Sequence, residues 1–196
     1  MQNLALTHLN LFDGKLDSGL QRDVTLLVEV KVRGEGVEGT ITQIGPSAQI
    51  EIPPDTRVVD LSGRYAIPGL INAHCHLFGD GRPRALLSAP ESVLVFFVKL
   101  MNSRLGRGYM KSSMRKNATT ALNAGVTTLR SVGDFNYYDV QIRDEIEAGK
   151  FLGSRLRVSG KGICVTGGHG WFVSHVADDP WSDRKAVRDI LRHGAD

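Results

Sequence analysis

Two histidines separated by one residue are the strongest chemical signal in this chain. His74 and His76 stand near the end of the apolar run 65–77. Successive side chains of a strand point to opposite faces, so both imidazoles would point to one side and Cys75 to the other. Two imidazoles on one face can each give a nitrogen to a single divalent metal ion. The spacing therefore predicts a metal site with His74 and His76 as ligands and Cys75 packed behind it.

The position of the histidine pair supports the metal-site interpretation more than the pair itself does. With 6 His among 196 residues, about 0.2 His-x-His pairs are expected by chance. The apolar run is entered through Pro68-Gly69 and left through Gly79-Asp80-Gly81, so the pair lies near the C-terminal end of the predicted strand. Parallel α/β folds carry their chemistry at that end. The alternative is a pair of core histidines without a ligand, which this context disfavours.

The order of the predicted elements indicates a β-rich segment, residues 1–61, followed by an α/β segment, residues 62–196. Strands are predicted at residues 4–7, 24–30, 40–44 and 57–60. Beyond these, strands alternate with helices, which is typical of βα units around a parallel sheet. Helices are predicted at residues 93–101, 110–123, 139–148 and 182–193. Ser88 and Glu91 have the spacing of a capping box before the first helix.

Four ordered motifs resemble one enzyme superfamily. Residues 68–77, Pro-Gly-Leu-Ile-Asn-Ala-His-Cys-His-Leu, resemble the first barrel strand of the amidohydrolase superfamily, and residues 123–134 resemble its second strand and following loop. Residues 153–160 and 166–170 are similar to imidazolonepropionase and prolidase-like members. The resemblance implies a small N-terminal β-sandwich segment followed by about the first three βα units of an incomplete TIM-like barrel.

The same resemblance implies a chemistry for the complete enzyme. It is metal-dependent hydrolysis of amide, peptide or cyclic amide carbon–nitrogen bonds by metal-activated water, with one or two divalent ions, zinc being the expected metal. The family's other ligands are a carboxylated lysine, two further histidines and an aspartate on later strands. We expect those strands outside these 196 residues, and Lys161 is not assigned the lysine role. We therefore expect no catalytic residue within the chain, which would be inactive alone. The alternative is a pseudoenzyme or an inactive fragment.

Two further residues are candidates for substrate contact. His169 lies in the glycine-rich segment Thr-Gly-Gly-His-Gly, where backbone can approach a ligand closely and an imidazole can hydrogen-bond a carbonyl. Its alternative is an ordinary loop histidine. Arg130 follows the second predicted barrel strand, where a guanidinium could hold a carboxylate group of a substrate. The favoured alternative for Arg130 is a structural ion pair with Asp134.

Composition limits the other function classes. The 24 basic and 21 acidic residues give a net charge of +3 and are scattered along the chain, so a nucleic-acid partner is not expected. The 2 cysteines do not make a disulfide framework, which favours a reducing, cytoplasmic location. No apolar segment is long enough to span a membrane. A small polar amide or peptide substrate is the expected partner, and a homo-oligomer is possible.

Overall fold

The computed structural model describes residues 3–33, 36–79, 81 and 90–196. The chain has the predicted mixed α/β content and divides into two compact units, Met1–Gly69 and Leu70–Asp196. Ser88, the first residue of the predicted capping box, lies outside the described residues, as does Asp80.

The first unit contains one mixed five-stranded sheet. Its strands are β1 (Leu4–Phe12), β2 (Leu20–Arg33), β3 (Gly36–Pro46), β4 (Arg57–Asp60) and β5 (Tyr65–Ala66). The order is β3-β2-β1-β4, and β5 also pairs with β1. Burial alternates along β1, where Ala5, Thr7, Leu9 and Leu11 are buried, as the two-residue period of a strand requires. All four predicted strands are confirmed, and each is longer than or equal to its predicted range.

The second unit is built on a parallel three-stranded sheet. Its elements are β6 (Leu70–Cys75), α1 (Glu91–Asn102), α2 (Arg104–Asn123), β7 (Val126–Ser131), α3 (Tyr138–Glu147), β8 (Arg155–Val158), β9 (Gly162–Cys164), β10 (Ser174–Val176) and α4 (Pro180–Arg192). The order of the sheet is β6-β7-β8, and β9 pairs separately with β10. Cys75 pairs with Ser131, and Ser131 pairs with Val158, so the three strands end at one edge.

Local sequence explains where the helices begin and end. Ser103 caps α2 by accepting a hydrogen bond from the Gly106 amide, and Gly125, with φ +84°, follows the end of that helix. Asp179 and Ser182 form a capping box at α4, with Pro180 in the first turn. All four predicted helices are confirmed, and α2, α3 and α4 begin one to six residues before their predicted starts. The capping box predicted for α1 is wrong, because Pro90 is the N-cap and Glu91 is the first helical residue, not the third.

One face of the β6-β7-β8 sheet is packed against helices. The core there joins Met114 of α2, Ile142 of α3 and Leu156 of β8, all at most 2% exposed. The strand β6 is exposed from Leu70 to His74. Only its last residue, Cys75, is half-buried, and it packs against this core. Within the described ranges, no helix combines the length and the apolarity needed to cross a bilayer.

Candidate metal-binding site

The structure brings the two predicted ligands together at the end of β6. The ring centroids of His74 and His76 are 5.7 Å apart, with the rings at 80° to each other. A zinc ion about 2.0 Å from an imidazole nitrogen lies about 3 Å from that ring's centroid, so two rings on one tetrahedral ion have centroids about 5 Å apart. The observed separation fits two imidazoles on one metal ion after a small side-chain adjustment.

A backbone hydrogen bond sets which nitrogen of His76 is free. The Nδ1 atom of His76 lies 3.0 Å from the carbonyl oxygen of Gly133, in the loop after β7. A carbonyl oxygen can only accept, so Nδ1 carries the proton and donates it. In the neutral ring, Nε2 then keeps its lone pair. Metal-ligating histidines typically donate their second ring N–H to a carbonyl or carboxylate in this way.

His74 and His76 are two of the donors that a metal site would need. Among them, no group of three or more His, Cys, Asp and Glu side chains could hold a metal ion. Catalytic zinc takes three protein ligands and leaves a fourth position for water or substrate. His74 and His76 therefore fit a metal ion as two members of a larger donor set.

Cys75 is not placed as a ligand. It is the last residue of β6 and packs against the core of the second unit. Burial, followed by the nearby carboxylates of Asp134 and Asp139, raises the pKa of its thiol to about 11. The sulfur is thus a protonated, poorly nucleophilic group at neutral pH, as expected for a packing residue.

A buried carboxyl group lies directly behind the histidine strand. Asp134 is fully buried and accepts hydrogen bonds at Oδ2 from the Ser131 hydroxyl at 2.7 Å and from the Leu77 amide at 3.1 Å. Its Oδ1 atom has no partner among the described residues. Burial, together with the charge of Asp139, raises the pKa of Asp134 to about 8. Burial likewise raises the pKa of Asp139 to about 6, although the Gly160 amide donates to it.

These contacts correct the favoured alternative for Arg130. The Asp134 carboxyl accepts hydrogen bonds from the Ser131 hydroxyl and the Leu77 amide. No ion pair joins it to Arg130 in the part of the chain that the structure describes. The physical reason is side-chain alternation on β7: Ser131 is buried and faces the core, so its neighbour Arg130 faces the other way.

The second predicted substrate residue lies on a separate turn. His169 is exposed between Gly167, with φ +69°, and Gly170, with φ +76°. These positive φ angles allow the tight turn that follows β9. The structure gives His169 no contact with His74 or His76 among the described residues.

Aromatic side chains border the end of β6. Phe135 is 3% exposed and its ring centroid lies 5.0 Å from Phe78, 6.5 Å from Phe97 and 6.0 Å from Phe172. Phe78 in turn lies 5.6 Å from the His76 ring. This cluster makes the core side of the histidine site apolar.

Sequence reasoning did not find a polar network that joins the loop after β7 to β10 and α4. The Tyr137 hydroxyl donates to Asp189 Oδ2 at 2.9 Å and lies 2.9 Å from His175 Nε2, while its ring stacks on His193 at 4.1 Å. Burial raises the pKa of the Tyr137 phenol above its ordinary value, and the bond to Asp189 adds to this. Burial and then Lys161 lower the pKa of His175. These residues are far apart in sequence, so no local pattern marked them.

A family model described as the amidohydrolase family matches residues 65–196, which include β6, β7, β8 and all four helices. The chain belongs to the amidohydrolase family. The predicted resemblance is thereby confirmed.

Individual relatives of this amidohydrolase chain are similar over parts of it. An adenine deaminase from Rubrobacter xylanophilus is 38% identical over 65 residues, which are 33% of this chain and 10% of that protein. An imidazolonepropionase from Symbiobacterium thermophilum is 43% identical over 44 residues, 20% of this chain and 10% of the relative. A crystal structure described as a prolidase from Bifidobacterium longum is 32% identical with a TM-score of 0.72, covering 99% of this chain and 39% of that one. The chain thus spans well under half the length of these relatives.

Proposed function

We propose that this chain is the N-terminal part of a metal-dependent amidohydrolase that cleaves amide, peptide or cyclic amide bonds of a small polar substrate. The observation that carries the proposal is the His76 Nδ1 bond to the Gly133 carbonyl beside the His74 ring. This hydrogen bond keeps the proton on Nδ1 and so leaves the Nε2 lone pair of His76 free to bind a metal ion. Membership of the amidohydrolase family supports the reaction class.

In the proposed fold, residues 1–61 form one layer of a β-sandwich and residues 62–196 form the first three βα units of a TIM-like barrel. Two features support this arrangement. Val37, Ile41 and Ile44 of β3 are 58%, 53% and 51% exposed, which suits a sheet that another layer covers. The parallel order β6-β7-β8 with helices on one face suits a barrel wall. The face of the sheet opposite these helices would then face the barrel interior.

The residues of this chain have separate parts in the proposed mechanism. His74 and His76 would hold a divalent metal, with zinc the expected ion, and the remaining ligands would come from residues beyond those described. When bound, such an ion polarises a carbonyl and activates water near neutral pH. The Gly133 carbonyl keeps the proton on Nδ1 of His76 and so orients the ring. The Phe78 and Phe135 rings exclude water from the core side of the site.

Substrate recognition by this chain is assigned to Arg130 and His169. Arg130 lies on the face of β7 opposite the buried Ser131, where its guanidinium could pair with a substrate carboxylate. His169 lies exposed on the glycine-rich turn, where its imidazole could donate to a carbonyl. A substrate with both groups is an N-acylated amino acid or a dipeptide. The prolidase description of the Bifidobacterium longum protein supports that substrate class.

The test uses the natural protein that contains these residues, isolated from its source, with its mass and its metal content measured. Hydrolysis is assayed on Xaa-Pro dipeptides, N-acyl amino acids and cyclic amides. His74→Asn and His76→Asn are expected to lose bound metal and hydrolysis together. His8→Asn is the matched control, because His8 is exposed in the other unit and its φ of +57° is one that asparagine tolerates.

The possible outcomes separate the proposal from its alternative. Unchanged metal content in both histidine variants would remove the ligand assignment. A metal-loaded protein without hydrolysis of any of these amides would favour the pseudoenzyme interpretation. Arg130→Lys is expected to raise KM about tenfold or more for substrates with a free carboxylate, because a bidentate pair is lost, and to leave uncharged amides unaffected.

A further inference from the structure

The residue that follows His76 is held at both of its backbone polar groups by side chains from other elements. The Leu77 amide donates to Asp134 Oδ2 at 3.1 Å, and the Leu77 carbonyl accepts from Asn117 Nδ2 at 2.9 Å. The same Nδ2 also donates to the Gly79 carbonyl at 3.0 Å. A side-chain amide has two hydrogens on nitrogen, so Asn117 uses its full donor capacity on this one turn.

Strand pairing does not reach this turn. The last described bond between β7 and the histidine strand runs from the Val132 amide to the Cys75 carbonyl at 2.9 Å. Beyond Cys75 the backbone is held by the turn bond from the Gly79 amide to the His76 carbonyl at 2.9 Å, and by Asn117 and Asp134. The direction of the His76 imidazole depends on the backbone dihedrals in this segment. The side chains that hold this segment lie outside the strand.

Both side chains stand on rigid supports. Asn117 lies in α2 between Met114 and Ala118, which are 0% exposed, so the helix is anchored in the core on that side. Asp134 is also 0% exposed and is fixed by the Ser131 hydroxyl. A turn tied to side chains on a core-anchored helix and a buried loop keeps its geometry better than one bonded to water.

We infer that Asn117 and Asp134 are positioning residues that hold the backbone turn after His76 and thereby aim its imidazole at the metal position. The inference rests on the proposed function for the assignment of His74 and His76 as ligands. It assigns a role to a helix residue that touches neither imidazole. It also explains why a polar amide stands on the core-facing side of α2.

The test compares Asn117→Leu with the matched control Thr119→Val in the natural protein. Thr119 lies on the same helix and also gives one side-chain bond to a backbone carbonyl, Leu152 at 2.7 Å, but at a different loop. Metal-stripped proteins are titrated with cobalt(II), whose visible absorption reports ligand geometry. Asn117→Leu is expected to weaken cobalt affinity about tenfold, at the lower end of the range for outer-shell partners. It is also expected to change the spectrum, while Thr119→Val matches the wild type.

A metal-free measurement separates this inference from the proposed function. In nitrogen-15 NMR spectra without metal, the His76 Nδ1 proton that is bonded to Gly133 is expected to be lost in Asn117→Leu and kept in Thr119→Val. Asn117→Asp, which keeps the shape but removes both donors, repeats the test if the leucine variant folds poorly. Wild-type protein that binds no cobalt would contradict the proposed function alone. An unchanged Nδ1 signal in both Asn117 variants would overturn the positioning role.

Discussion

The Nδ1 atom of His76 donates a hydrogen bond to the carbonyl oxygen of Gly133 across 3.0 Å, which ties the metal-candidate strand to the loop after β7. This bond predicts that the neutral His76 ring is the Nδ1–H tautomer, with Nε2 unprotonated. Long-range nitrogen-15 NMR spectra above pH 7 distinguish the two tautomers directly. Zinc should then shift the Nε2 resonance far more than the Nδ1 resonance. An Nε2–H tautomer in the metal-free protein would contradict the prediction.

The buried carboxyl of Asp134 predicts a pH-dependent stability of the second unit. Its pKa is raised by burial to about 8, from an ordinary value of 3.8. The folded state therefore binds the proton more tightly than the unfolded state. The resulting stabilisation is complete below about pH 4 and is lost as the pH rises toward 8. We expect the free energy of unfolding to fall between pH 5 and pH 8, and Asp134→Asn to flatten this slope.

Tryptophan fluorescence can follow that unfolding in the correct unit. The chain has 2 tryptophans, Trp171 and Trp181, and both lie in the unit Leu70–Asp196. Urea titrations at pH 5 and pH 8 with this signal give the slope for the wild type and for Asp134→Asn. Asp139→Asn is the informative comparison, because its raised pKa of about 6 predicts a smaller slope change that ends at a lower pH. If the free energy of unfolding changed equally with pH in wild type and in Asp134→Asn, the raised pKa of Asp134 would be contradicted.

Removal of the hydroxyl group is expected to affect the stability of the protein differently at two adjacent tyrosines. Tyr137 is bonded to Asp189 and His175, so Tyr137→Phe is expected to cost about 1 kcal/mol of unfolding free energy. The Tyr138 hydroxyl is buried without a partner among the described residues, so Tyr138→Phe should be neutral or slightly stabilising. Urea unfolding monitored by tryptophan fluorescence measures both. A larger loss for Tyr138→Phe than for Tyr137→Phe would show that the network is wrongly described.

The contact between Gly160 and Tyr137 predicts a steric limit. Gly160 has φ +64°, and a Cβ there would lie 2.5 Å from Cδ1 of Tyr137. Gly167 has a similar φ of +69° but open space around the added carbon. Gly167→Ala should therefore cost about 1–2 kcal/mol, the left-handed backbone penalty alone. Gly160→Ala should cost a further 1–3 kcal/mol, roughly, for overpacking.

The Gly160 experiment has an internal check through Tyr137. In a Tyr137→Ala background the obstructing ring is absent, so the extra cost of Gly160→Ala over Gly167→Ala should disappear. The comparison uses Gly160→Ala and Gly167→Ala, each made alone and together with Tyr137→Ala. Thermal unfolding of these four variants, again followed by tryptophan fluorescence, completes the double-mutant comparison. An extra cost that persists without the ring would mean that the backbone, and not the tyrosine, excludes a side chain at position 160.

Local sequence patterns predicted the long strands and the helices of the fold, and they missed the short strands β5, β9 and β10. The strand around residues 24–30 and the helix around 182–193 follow from apolar periodicity, and the observed elements contain or overlap these ranges. Periodicity works because each element must bury one face, and the repeat of buried positions depends only on the local backbone geometry. The helix starts were less well predicted. The Asp179–Ser182 capping box, for example, adds a first turn that apolar residues do not mark.

The sequence by itself indicated the family and the order of the main strands and helices, and its spacing predicted that His74 and His76 point to one side of a strand. Only the tertiary structure decided how His76 is oriented, that Asp134 bonds Ser131 and Leu77 instead of Arg130, and that Asn117 holds the turn. The physical reason is the distance along the sequence between the groups that interact. Strand alternation is set by neighbouring residues, whereas these hydrogen bonds join groups up to 57 positions apart that meet only when the sheet and helices pack.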